Sequence, residues 1–150
     1  MSERTVRERG LLAIAIAAIV SFFMLLVFNA HAAWRPLLGG VVTDAYLDVL
    51  WALNLGCLVH IVGNLVLYLA RPWWLRRLMD VVFAIAGLIG AIVLYGVFPF
   101  DFARFGGGVD VLAHVALFLA VVGTSVAIFV NLVRLALGEG SSPPTPHAHR

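Results

Sequence analysis

The stretch VLWALNLGCLVHIVGNLVLYLA, Val49–Ala70, contains no Asp, Glu, Lys or Arg. A bilayer core is ~30 Å thick, and a helix needs ~20 mostly apolar residues to cross it. Backbone N–H and C=O groups find no water in lipid. Such a run is therefore stable there as a helix, whose hydrogen bonds close within the segment. Three further charge-free runs of this kind flank it: Gly10–Trp34, Val81–Phe100 and Val111–Val133. The four predict an all-α integral membrane protein, a four-helix transmembrane bundle built as two helical hairpins. Its helices are expected at about 10–33, 46–70, 73–98 and 109–135, within one membrane domain over 1–137. Residues 138–150, rich in Ser, Pro and Gly, read as a disordered tail.

Composition agrees. The chain is 63% hydrophobic and 12% charged, whereas soluble domains average about 25% charged residues. A water-soluble globule is excluded. All ten basic residues are Arg, and they sit at the flanks of the apolar runs rather than along a wet surface stripe, so nucleic acid is not an expected partner. The single cysteine, Cys57, excludes a disulfide within the chain and a four-Cys metal site.

Arg4, Arg7 and Arg9 followed by an apolar run and Ala30-His31-Ala32 resemble a secretion signal with a small-residue cleavage site. Signal-peptide apolar regions run 7–15 residues. Leu11–Phe28 is longer, and the segment is read as an uncleaved first span, with cleavage after Ala32 as the competing reading.

Arginine placement sets the expected orientation. Arg4, Arg7, Arg9, Arg71, Arg76, Arg77, Arg134 and Arg150 fall on one side of a four-span layout, and only Arg35 and Arg104 on the other. By the positive-inside rule both termini are expected in the cytoplasm, most simply of a bacterial cell, with the protein in the cytoplasmic membrane. Trp73 and Trp74 then anchor the inner interface, and Trp34, Tyr46, Trp51 and Tyr95 the outer one. Pro72 suits the start of the third helix, where its missing N–H is harmless. Pro99 ends that helix, in a loop whose Phe98, Phe100, Phe102 and Phe105 suit a lipid interface or a covered position under a partner subunit. The segments after the first and third spans share an order of Arg, glycines and an acidic pair, which raises the possibility of a duplicated hairpin.

Two sets of residues could carry chemistry, and a third pattern signals packing. On the second helix Asn54, Cys57, His60, Asn64 and Tyr68 share a 120° arc at about 100° per residue. Polar groups at membrane depth face the protein interior or a wet cavity, so this arc is the candidate binding face. Interhelical hydrogen bonding explains it equally simply. Asp44 and Asp48, and Asp110 and His114, stand one turn apart at the outer ends of the second and fourth helices. If the pairs converge, carboxylates and imidazole suit a divalent cation. Asp44 and Asp110 also suit capping. Small residues follow one face of the fourth helix (Ala113, Ala116, Ala120, Gly123, Thr124, Ala127, Asn131) and recur on the third at Ala86, Gly87, Gly90 and Ala91. Such faces let helix backbones approach closely.

No cofactor is required by these patterns. A haem held between His60 and His114 fails on depth. Their positions differ by roughly 12 Å at ~1.5 Å per residue, and two axial ligands must flank one iron. His31 is no better matched to His60. No nucleophile elbow, phosphate loop or zinc-protease helix appears, so no enzyme is expected. The leading expectation is a non-catalytic accessory or structural subunit of a larger membrane assembly, its partners being the bilayer and other subunits or copies of itself. A small transporter or sensor using the polar arc is the alternative. A haem- or quinone-binding subunit is the third class.

Overall fold

The computed structural model describes residues 3–38, 40–70, 72–102, 105 and 107–137. The tail over 138–150 and Arg104 therefore lie outside the described residues. Within them the chain is helical: α1 (Glu3–Asn29), a one-turn α2 (His31–Trp34) running into a tighter 3₁₀ turn (Arg35–Leu38), α3 (Tyr46–Leu69), α4 (Trp73–Val97) and α5 (Gly107–Ala136). α1, α3, α4 and α5 are long and apolar enough to cross a membrane, which points to a membrane location.

Helix ends follow local chemistry. α1 stops at Asn29 rather than near residue 33. There the Asn29 Nδ2 group donates to Leu25 O at 2.8 Å and the chain turns at Ala30. α2 then folds back, so that Trp34 Nε1 donates to Val27 O at 2.7 Å. α4 opens behind Pro72, at φ −62° and ψ 144°, a position that needs no N–H donor. It closes on Phe98 in the left-handed region at φ 41°. That conformation costs a non-glycine residue roughly 1–2 kcal/mol. The Phe98 ring stacks on His114 with centroids 3.7 Å apart, which holds it in place.

Each long helix packs on its neighbour in sequence: α1 on α3, α3 on α4, α4 on α5. Among the described residues, no close backbone approach joins α1 to α4, α1 to α5, or α3 to α5. The helices thus form an open row with α3 and α4 inside. α3 buries Val49, Ala52, Cys57, Asn64 and Leu67, and α4 buries Val81 and Ala86, whereas α5 buries nothing. At Gly63 the Phe83 ring of α4 lies against α3, and an added Cβ would overlap it.

The tightest packing lies at one end of the row. The loops after α2 and after α4 pair there, through an antiparallel bridge between Val42 and Phe100. Thr43 N donates to Pro99 O at 3.0 Å and Asp101 N to Val41 O at 2.8 Å. Beneath the bridge Val42, Tyr46 and Val49 form a core covered by Trp34, Leu50, Leu53, Val93, Leu94 and Phe100. The Trp34 and Tyr46 rings meet edge to face at 5.4 Å, and Tyr46 Oη donates to Phe28 O at 3.3 Å. This is the loop cap. Helical turns follow α1 but an extended segment follows α4, so the described loops do not repeat one conformation.

Candidate functional site

A groove of about 420 Å³ opens between the helices below the loop cap. All four long helices line it: α1 with Val20, Ser21, Met24 and Phe28, and α5 with Leu117 and Ala120. Its inner walls are Ala52, Leu53, Gly56, Cys57 and His60 of α3, facing Ala86, Gly87, Gly90, Ala91 and Leu94 of α4. Small side chains on α3 and α4 make the hollow. The missing approach between α1 and α5 leaves it unclosed on that side.

His60 lies at the end of the groove farthest from the cap. Its ring stacks on Phe83, centroids 4.5 Å apart and planes 14° from parallel. Its Nδ1 lies 2.9 Å from Gly56 O. A carbonyl oxygen only accepts, so in the neutral ring the proton sits on Nδ1 and Nε2 carries a lone pair. No other hydrogen bond to the His60 ring is formed among the described residues. Nearby, Ser21 donates its hydroxyl proton to Ala17 O at 2.9 Å, and its oxygen lone pairs stay available.

The rest of the arc divides between neighbours. Asn54 and Asn29 exchange side-chain hydrogen bonds at 2.8 and 3.2 Å, which ties α3 to α1. Asn64, only 6% exposed, donates to His60 O at 2.8 Å on its own helix. Asn64 and Tyr68 line a different and smaller pocket against Ile14, Ala15 and Ala18 of α1. Tyr68 is half exposed. Within the arc Cys57 and Asn64 are buried, and only Cys57 and His60 of its five members reach the groove.

The acidic positions do not come together. Among the described residues no three His, Cys, Asp or Glu side chains group as for a metal ion. No close backbone approach joins α3 to α5, which fits the absence of a shared Asp44, Asp48, Asp110 and His114 cluster. Asp44, with its side chain 91% exposed, pairs with Arg35 Nη2 at 2.6 Å, and no side chain caps α3. Asp48 is exposed in the first turn of α3. His114 Nδ1 lies 3.0 Å from Asp110 O and 3.7 Å from its carboxylate, under the rings of Phe98 and Tyr95. The aromatic loop is thus occupied with covering His114 and packing on itself: Phe98 meets Phe100 and Phe102 edge to face at 5.8 and 6.3 Å, and Phe100 stacks on Phe102 at 5.8 Å.

One polar group in the cap went unassigned in the sequence. His31 Nδ1 is buried without a hydrogen-bond partner, its ring 5.8 Å from Tyr46, beside a pocket of about 390 Å³ that Arg35 also lines. The signal was present, a histidine at the end of an apolar run. Its partner Tyr46 became visible only once α2 folded back.

Compared with known proteins, the chain matches no family model, no curated protein and no solved structure.

Proposed function

We propose that this chain is a four-span membrane protein, both termini cytoplasmic, that serves as a non-catalytic accessory subunit of a larger membrane assembly. The open row carries this reading. On α5, Ala116, Ala120, Gly123 and Ala127 share one face and all are exposed. A Cβ added at Gly123 would meet nothing within 4 Å. In lipid, association rests on close packing of such small surfaces rather than on burial of apolar area. The face of α5 toward α4 is used already. The small face beside it is free to take a helix of another subunit.

Native mass measurement in mild detergent tests the proposal. A defined complex with unrelated subunits is expected, and it should dissociate in Ala120→Leu and Gly123→Leu variants whose own unfolding is unchanged. A free single chain extracted under the same conditions would overturn the reading. The proposed orientation is checked separately by cysteine labelling from outside, which should reach Leu38→Cys and not Leu75→Cys. A transporter draws less support, because Asn64 and Tyr68 line a pocket separate from that of Cys57 and His60, so the arc does not make one polar path.

A further inference from the structure

We infer that the groove between α1, α3, α4 and α5 binds a quinol, an aromatic alcohol on an apolar tail, through a hydrogen bond from its hydroxyl to His60 Nε2. The inference is separate from the accessory role: it rests on His60 and on the α3 and α4 walls, and the two share only Ala120 at the groove's α5 edge.

Size comes first. At about 420 Å³ the groove falls within the ~300–1,000 Å³ of small-molecule sites, which are mostly apolar with a few placed polar groups. From Ala52 to His60 it extends about 12 Å along α3, at ~1.5 Å per residue. That length suits a ring and the first part of a tail. Gly56, Gly87 and Gly90 leave bare backbone on facing walls, which a flat ring can approach closely. The unclosed side between α1 and α5 lets a tail continue into lipid.

The polar groups then choose the head. His60 Nδ1 is committed to Gly56 O, and stacking on Phe83 fixes the plane of the ring. What remains is one acceptor near the middle of a membrane span. Ser21, the other hydroxyl in the wall, has given its proton to Ala17 O and also offers only lone pairs. The Cys57 thiol is a weak donor. A site that offers acceptors and almost no donors favours a ligand that donates. A quinol donates, whereas the corresponding quinone carries only carbonyl acceptors. The geometry therefore discriminates between two redox forms of one molecule, and no electron transfer is involved in that discrimination.

The experiment titrates the full-length protein in lipid nanodiscs with decylubiquinol and, separately, with decylubiquinone. The quinol should bind about tenfold more tightly, the effect of one buried hydrogen bond. His60→Phe keeps a ring against Phe83 and removes Nε2, so it should erase the difference between the two forms. Gly90→Leu fills the groove where a Cβ meets nothing within 4 Å, and it should weaken both ligands. Because Gly90→Leu leaves the His60–Phe83 stack intact, it keeps the test open if His60→Phe fails to fold. Equal affinity for the two forms, a preference that survives His60→Phe, or binding unaffected by Gly90→Leu would each overturn the assignment.

Discussion

The loop cap and α5 are built from the same kinds of residue and held by different forces. In the cap, Val42, Tyr46 and Val49 are shut away under paired loops, and hydrogen bonds reach in from α1, α2 and both loops. α5 presents Leu112, Phe118, Leu119 and Phe129 outward and buries no residue. Burial within the chain stabilises a fold when the alternative is water. It adds little when the alternative is a lipid tail as apolar as the protein. In the proposed membrane arrangement the cap sits where water begins and loops must be organised. α5 has no such need, and its sequence records only the requirement to be apolar, with a small face kept clear.

If that contrast is right, the largest single loss of stability comes from the cap. Tyr46→Ala removes a buried ring packed on Trp34 and the hydrogen bond to Phe28 O. The expected cost is about 3–5 kcal/mol, the range for deleting a buried aromatic. Chemical unfolding in mixed micelles measures it. A cost below about 1 kcal/mol would mean that the cap is not where the fold is secured.

Gly63→Leu comes next, and it locates the boundary between the two regimes. Here α3 and α4 approach so closely that even one added carbon overlaps Phe83, whose ring is engaged with His60. Overpacking of this sort costs about 1–3 kcal/mol. The same substitution at Gly123 of α5, where a Cβ meets nothing, should leave the isolated chain unchanged. Equal effects at the two glycines would erase the distinction between inner and outer helices.

The Asn29–Asn54 pair should contribute less. Two reciprocal side-chain hydrogen bonds join α1 to α3 just below the cap. Interhelical polar pairs in membrane proteins average ~0.6 kcal/mol of coupling, with ~1.7 at most. A double-mutant cycle with Asn29→Leu and Asn54→Leu reads that coupling directly. A value near zero would remove the pair from the forces that hold α1 in the row.

Much of this arrangement was legible in the chain. Four charge-free runs gave four helices, and Pro72 marked the start of α4. Of the polar arc, Cys57 and Asn64 are buried, whereas Asn54 meets Asn29 at an exposed position. What escaped was long-range. The cap depends on Val41–Thr43 meeting Pro99–Asp101, a backbone pairing between loops that leaves no periodic signal. The end of α1 depends on Trp34 reaching back to Val27. The expected meeting of Asp44 and Asp48 with Asp110 and His114 failed for a related reason. Matching depth along two helices does not make them neighbours, and α4 stands between α3 and α5 in the row. One wall of the groove was visible as Ala86, Gly87, Gly90 and Ala91 of the third span, α4, which were read as a packing surface. That small residues on α3 and α4 leave a space rather than close one depends on α1 and α5 standing apart, a property of the whole row.

The smallest expected effect is the sharpest check on the contrast. Phe129 is 68% exposed, although it is as large and apolar as the rings that hold the cap. At 100° per residue it lies on the side of α5 opposite Ala116 and Ala120. It therefore faces neither α4 nor the proposed helix-docking face. Phe129→Leu exchanges one lipid contact for another, so the stability of the chain should change by less than about 0.5 kcal/mol, as for an ordinary surface substitution. Any complex that Ala120→Leu disrupts should survive it. A cost above about 1 kcal/mol in the isolated chain would mean that this face packs against protein, and the open row would have to close around it. A loss of the complex without a loss of stability would instead move the docking face around α5 by nearly half a turn. Either outcome can be read from the same unfolding curve and native mass spectrum. An unchanged chain in an unchanged complex leaves this face of α5 to lipid and confines docking to its small residues.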